Sequence, residues 1–176
     1  MNAPPAFRRR LLESIPRLRR YARSLSFDSA LADDLTQLTL ERALTRWRQF
    51  DERRDILVWL LSIAHNAHLD ALRRDSRLSY ADPVDLEQAQ DAAGGDPGVD
   101  IGLRLDLQAA LARLTPQQRE PLLLVCVEQL SYAEVAEVMR IPVGTVMSRV
   151  CRARALLRRF LEGEEAAATP VLRRVV

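Results

Sequence analysis

A chain of 176 residues can form one ordinary domain or two small ones, so length alone does not fix the count. Apolar residues make up 48% and aromatic residues only 5%, and leucine, alanine and arginine dominate, a mixture that favours helices over sheets and predicts an all-α protein. The 26 basic and 24 acidic residues nearly cancel, so the position of the charges carries more information than their sum. Every basic residue is arginine, a bias that GC-rich coding would produce on its own and that also suits contacts to phosphate and guanine.

Cys126 sits in the apolar run PLLLVCVE and Cys151 in a basic helix, so neither belongs to a CxxC or secreted disulfide pattern. Cys126 reads as a core residue. The amino terminus lacks the apolar segment of a signal peptide, and no apolar stretch approaches the roughly 20 residues of a membrane span. The expectation is a cytoplasmic protein in a reducing compartment, with no direct membrane insertion.

In chain order, FRRRLLESIPRLRRYARSL places Leu11, Ile15, Leu18, Tyr21 and Ala22 at helical spacing, with Pro16 placed to break the segment or start its second half. A second helix is predicted from about Ser29 to Arg48, with Leu31, Leu35, Leu38, Leu40, Leu44 and Trp47 as a broad apolar stripe. After the charged turn FDERRD, a third runs from about Ile56 to Arg74. It buries Ile56, Leu60, Ile63, Ala64, Ala67 and Ala71, while Asn66, Asp70, Arg73 and Arg74 line the other side. Three such helices can close one small core.

From Asp75 to Asp100 the character changes, with seven acidic residues, one arginine, and Gly94-Gly95 followed by Pro97-Gly98. This predicts an extended, weakly ordered tether between two domains. Helical patterning returns near Leu103, with Leu103, Leu105, Leu107, Leu111 and Leu114 expected in a core. Thr115-Pro116-Gln117-Gln118 and Ser131-Tyr132-Ala133-Glu134 each carry the signature of a capped helix start. LLLVCV between them is read as a buried helix.

SYAEVAEVMRIPVGTVMSRVCRARALLRRF then reads as a short helix, a tight corner at Arg140-Ile141-Pro142, and a longer helix with five arginines and no acid. That is helix-turn-helix spacing. Ala136 is small where the helices must approach, and Val138, Ile141, Val146 and Val150 can fill the space beneath. Thr145, Ser148, Arg149 and Arg152 occupy the opposite face, where hydroxyls and guanidinium groups suit base edges and phosphates in a major groove. A solvated arginine face on an ordinary hairpin is the plain alternative.

LTPQQREPLLLVCVEQLSYAEVAEVMRIPVGTVMSRVCRARALLRRFL closely resembles the promoter-reading domain of extracytoplasmic-function (ECF) sigma factors, the compact members of the sigma-70 family. ADDLTQLTLERAL resembles that family's polymerase-binding helix, and WLLSIAHNAHLDALRR its promoter-melting helix. The resemblance covers most of the chain in the right order. It implies a region 2 type domain over 1–76, a linker over 77–102, a region 4 type domain over 103–164 and a tail over 165–176.

The implied partners are core RNA polymerase, through the beta-prime clamp coiled coil and the beta flap, promoter DNA, and an anti-sigma factor able to hold the protein at a membrane. By position, Asp34, Leu35 and Gln37 match the polymerase-binding motif. Asn66 and Asp70 match the melting helix, with Arg53, Arg54, Arg73 and Arg74 placed to hold phosphates of the opened strand. Thr145, Ser148, Arg149 and Arg152 match the duplex-reading helix. The acidic linker would thread channels that otherwise accept nucleic acid, although a merely soluble tether reads equally well from composition.

Three residues depart from the family pattern: Leu38 stands where glutamate is usual, Met147 where a cation is frequent, and Arg140 where glycine is common. A left-handed backbone at Arg140 would cost about 1 kcal/mol or more. His65 and His68 lack the further ligands of a four-coordinate metal site and read as ordinary helix residues. With no nucleophile-base pair or phosphate-binding glycine loop, no enzyme and no cofactor are expected. A repressor or activator using the same helix-turn-helix, and a helical adaptor that never touches DNA, are the alternatives.

Overall fold

A computed structural model of the chain describes residues 3–78 and 101–162. Among them the elements are all helical: α1 (Pro5–Ser26), α2 (Ser29–Thr45), a short 3-10 turn (Trp47–Gln49), α3 (Ile56–Leu78), α4 (Ile101–Ala112), α5 (Pro116–Cys126), α6 (Tyr132–Met139) and α7 (Val143–Leu161). The tether expected between Asp75 and Asp100 falls mostly on residues 79–100, outside the described residues, as does the tail from 163 onwards.

Helices α1, α2 and α3 pack on one another, and α7 packs on α4, α5 and α6. Pro5 opens α1 at a position whose N–H needs no partner. The helix runs unbroken through Pro16, which neither stops it nor restarts it. Pro16 and Leu12, the residue whose carbonyl Pro16 cannot serve, are both exposed, so the missing bond falls on the solvent side of the helix.

The apolar stripe expected on α2 holds only in part: Leu35, Leu40 and Trp47 pack partly buried against the core, but they flank the buried face and do not form its centre. The helix's buried residues are Ala32, Thr36, Thr39 and Ala43, while Leu31 is 58% and Leu44 is 44% exposed. Thr36 and Thr39 return their hydroxyls to the carbonyls of Ala32 and Leu35, both at 2.7 Å. Those bonds let small side chains replace leucines on the packed face, so α2 lies close against its neighbours.

Ala110 of α4 and Leu114 just beyond its end are buried and Leu111 partly so, but Leu105 (59% exposed) and Leu107 (40%) face outward, against expectation. The helix leans on α7 alone strongly enough to bury its last turn. Leu103's side chain is outside the described residues. Leu122, Leu123 and Leu124 of α5 are buried as read, but Cys126 ends the helix on the surface and is exposed, as is Cys151.

Two apolar clusters hold the molecule. One gathers Phe7, Leu11, Phe50, Ile56, Leu60 and Ile63 in the first unit. The other is continuous across both units, joining Leu18, Tyr21, Leu25, Leu57 and Leu61 to Leu122, Leu124, Val135, Val138, Val146 and Val150. The α1–α3 unit and the α4–α7 unit therefore share a buried seam.

Candidate nucleic-acid interface

Both predicted capping boxes form. Thr115 and Gln118 cap α5 reciprocally, and at α6 the Ser131 N–H donates to Glu134 Oε2 (2.8 Å) while the Glu134 N–H donates to Ser131 Oγ (3.2 Å). The Ser131 hydroxyl, which donates to Glu134 Oε2 at 2.7 Å, and then the Ser131 N–H hold the Glu134 carboxyl below its usual range. Arg140 closes α6 in the left-handed region at φ 54 and ψ 45, and the N–H of Ile141 reaches back to the Ala136 carbonyl at 3.1 Å. Pro142 then starts α7 in extended backbone, so the corner turns in three residues.

Val146, Val150 and Ala153 pin one side of α7 into the core. At about 100° per residue, the face directly opposite carries Gly144, Ser148, Cys151, Arg152 and Ala155. Of these Gly144, Cys151, Arg152 and Ala155 are exposed and Ser148 is half-buried, its hydroxyl donating to the Thr145 carbonyl at 3.0 Å. Thr145 and Arg149 are half-buried on one flank of that face; Met147, 52% exposed, lies on the other. Of the four residues chosen from sequence, Arg152 and Ser148 are therefore on the accessible face, Thr145 is at its edge and Arg149 is nearer the buried side, and the centre of the face lies nearer Gly144 and Cys151. A Cβ at Gly144 would meet nothing within 4 Å, so packing does not demand a glycine there.

The second candidate surface runs along α3 and the loop before it. Phe7, Phe50 and Trp59 cluster with ring centroids 5.2 to 6.1 Å apart, and Arg10 lies 5.0 Å over Phe50. Arg10 also donates to the carbonyls of Glu52 (3.2 Å) and Arg54 (2.9 Å), which fixes the loop carrying Arg53 and Arg54. Arg53 is exposed, whereas Arg54 pairs with Glu137 of α6.

Asn66 is half-buried, donates to the Ser62 carbonyl at 2.6 Å, and lines a cavity of about 110 Å³ with Arg42, Arg46, Gln49, Trp59, Ser62 and Arg140. Arg42 of α2, Arg46 at its C-cap and Trp59 were not anticipated at this site; the four-residue spacing of the two arginines was the available signal. Asp70 stands between Arg73 (3.7 Å) and Arg42 (3.9 Å), and Arg74 donates to the Asp70 carbonyl at 3.3 Å. From Ile56 to Arg73, α3 advances about 26 Å. Arg53 and Arg54 are thus at the opposite end of this surface from Asp70, Arg73 and Arg74.

On α2, Asp34 and Gln37 are exposed, with Gln37 donating to Glu41 at 2.9 Å, while Leu35 packs against the larger apolar cluster. Leu31 and Leu44, assigned to the core from sequence, extend the exposed face. No group of residues able to hold a metal occurs among the described residues. Nor is any helix among them long and apolar enough to cross a membrane.

Comparison with known proteins follows this division of the chain. Residues 104–157 match the family model for sigma-70 region 4, and residues 11–65 that for the sigma2 domain of PhyR. The ECF RNA polymerase sigma factor EcfG of Rhodopseudomonas palustris is 35% identical over 159 residues, which is 86% of this chain and 82% of EcfG. The chain belongs to the ECF RNA polymerase sigma factors. SigC of Mycobacterium tuberculosis, another such factor, is 38% identical to this sigma factor over 134 residues, covering 74% of this chain and 70% of its own. The fold of the sigma factor also superposes on RpoE of Bartonella quintana, solved in complex with the anti-sigma factor NepR. The TM-score is 0.81 at 31% identity, over 92% of this chain and all of RpoE.

Proposed function

We propose that this sigma factor docks on core RNA polymerase through the exposed α2 face, reads upstream duplex with α7, and holds the opened minus-ten strand along α3. The division corresponds to a region 2 type unit over 1–76 and a region 4 type unit over 103–164. What carries the reading is the pairing, in one chain and in family order, of a capped helix-turn-helix with a second surface where an amide, a tryptophan and arginines share a cavity.

Chemically, the parts suit their tasks. Arg152 extends from α7 with the reach to form paired hydrogen bonds to guanine, worth about 1 to 3 kcal/mol of discrimination. Asn66, with Trp59 nearby, offers an amide for a base edge and a ring for stacking, offsetting the few kcal/mol lost when a base leaves the helix. Arg53, Arg73 and Arg74 line the route for strand phosphates. On α2, Asp34 and Gln37 set polar contacts beside the apolar Leu31 and Leu44, the mixed composition of a docking face.

Anti-sigma control is supported by RpoE of Bartonella quintana, whose solved complex contains the anti-sigma factor NepR. Such a partner would act in the cytoplasm or at its membrane face. Reconstituted run-off transcription from genomic templates tests the function. Core polymerase freed of sigma should initiate at discrete starts when this chain is added without inhibitor. Silence on every template would refute the proposal, and tight duplex binding without polymerase would favour a conventional repressor or activator.

A further inference from the structure

The accessible face of α7 is not uniformly polar. Val143 at its first position is 42% exposed and Met147, one turn later, is 52% exposed, and both lie on the edge away from Arg152. Val146, Val150 and Ala153 fill the space beneath α7, so neither of these two side chains is part of the core. Further along the same edge Arg154 and Arg158 take their place, both exposed. From Val143 to Leu161 the helix carries five arginines and no acid. The apolar pair is thus confined to the end of α7 that a helix-turn-helix presents to base edges, ahead of a cationic end suited to phosphate.

We propose that Met147, with Val143 beside it, reads the C5 methyl group of a thymine in the upstream duplex. The inference rests on the function proposed above, which lays α7 on duplex DNA, and adds the base that one edge of the helix distinguishes. Among the four bases, only thymine offers a methyl group in the major groove. A thioether laid on that methyl removes apolar surface from water on both partners. Laid instead on guanine or on the amino group of cytosine, it displaces water from a polar group and supplies no hydrogen bond in return. Preference for thymine comes from both effects. Val143 stands one turn, about 6 Å, from Met147 along the helix, close enough for the two side chains to flank one methyl group.

Charge favours DNA over a protein as the occupant of this edge. Arg152 lies across the helix from the pair, and Arg154 and Arg158 follow it along the same edge. Such a setting attracts a polyanion, whereas the apolar centre of a protein interface is depleted of charge. Ser148 and Arg152 remain on the other edge for guanine, so the two edges of α7 read different bases. Because Met147 stands where a cation is frequent in the family, the thymine preference is a property of this chain's own side chain.

The test uses holoenzyme assembled from core polymerase and the full chain to select duplexes from a random pool, with Met147→Ala and Val143→Ala in parallel. Both residues are exposed, so circular dichroism should give each variant a melting temperature close to the parent's. The parent should enrich an upstream thymine that Met147→Ala no longer selects, while preferences for guanine persist in both. Replacing that thymine with deoxyuridine deletes the methyl group and keeps every hydrogen-bonding group. It should weaken parent binding about fourfold, the effect of one buried methyl, and leave Met147→Ala within about 1.5-fold. Val143→Ala should fall between them. Deoxyuridine tolerated by the parent at every thymine, or a penalty equal in the parent and Met147→Ala, would overturn the methyl contact while the guanine preferences keep α7 on the duplex. A pool without any enriched upstream base would overturn the duplex-reading function proposed above, and this inference with it.

Discussion

The corner of the helix-turn-helix provides the sharpest test of the energetics, because Arg140 adopts a left-handed backbone that costs an L-residue about 1 to 2 kcal/mol. Glycine removes that cost but loses about 0.5 to 1 kcal/mol more chain entropy on folding. Arg140→Gly should therefore stabilise the fold by about 0.5 to 1 kcal/mol, provided the side chain contributes little. Arg140→Ala isolates the backbone, since it removes the same side chain while keeping the Cβ that makes the conformation costly. The glycine variant should be about 1 kcal/mol more stable than the alanine variant, or about 2 to 4 °C in melting temperature for a chain of this size. Urea unfolding followed by circular dichroism measures the difference. An alanine variant equal to or more stable than the glycine variant would refute the reasoning, because the left-handed geometry would then carry no cost.

Three further outcomes follow from exposed or buried positions. Leu31→Ser and Leu44→Ser should change stability by no more than about 0.5 kcal/mol, since both leucines lie outside, yet weaken core polymerase binding measured by gel filtration or fluorescence anisotropy. Gly144→Ala meets open space and should raise helix stability by up to about 1 kcal/mol, while weakening duplex binding if the α7 backbone approaches phosphate there. His68 has a depressed pKa, caused first by burial, opposed by Glu120 and reinforced by Arg119 and His65, and its Nε2 is buried without a hydrogen-bond partner. The unfolded chain then binds the extra proton, so stability is full above the ordinary histidine value of 6.5 and falls as pH drops below it. Melting temperature measured from pH 8 to pH 5 should decline less in His68→Gln than in the parent.

The local features of this fold were legible because their signals are local. Two four-residue capping boxes, a proline at the start of α5, and small or β-branched residues around the corner at Arg140 predicted α5, α6 and α7 and the buried Val138, Val146 and Val150. The α2 face was misread for a physical reason: leucines on that helix spread too far round it to define one side. Close packing selected Ala32, Thr36, Thr39 and Ala43, whose threonine hydroxyls are satisfied within the helix. Cys126 looked buried within LLLVCV, but α5 ends there, and the last turn carries it to the surface.

The seam between the units was invisible for a different reason. Glu120 meets Tyr21 and His65, and Glu128 meets Arg17 and Arg20, across 55 to 111 residues of sequence. No periodicity within a helix marks such partners. His65 looks like an ordinary helix residue in sequence, and only α5, packed against it, supplies the Glu120 partner. The candidate site divides in the same way. The accessible face of α7 follows from helical spacing, whereas the cavity joining Asn66 to Arg42, Arg46 and Arg140 requires three helices to be in position.

Permanganate footprinting of a template that supports run-off transcription tests the central claim most directly, because it reports unpaired thymines where the strands part. Core polymerase with this sigma factor should produce reactive thymines in the minus-ten region, and neither component alone should do so. Asn66→Ala should abolish that reactivity while core binding persists, and Arg152→Ala should reduce it through lost upstream occupancy. Unchanged reactivity in Asn66→Ala, or no reactive thymine with the complete parent assembly, would contradict the account.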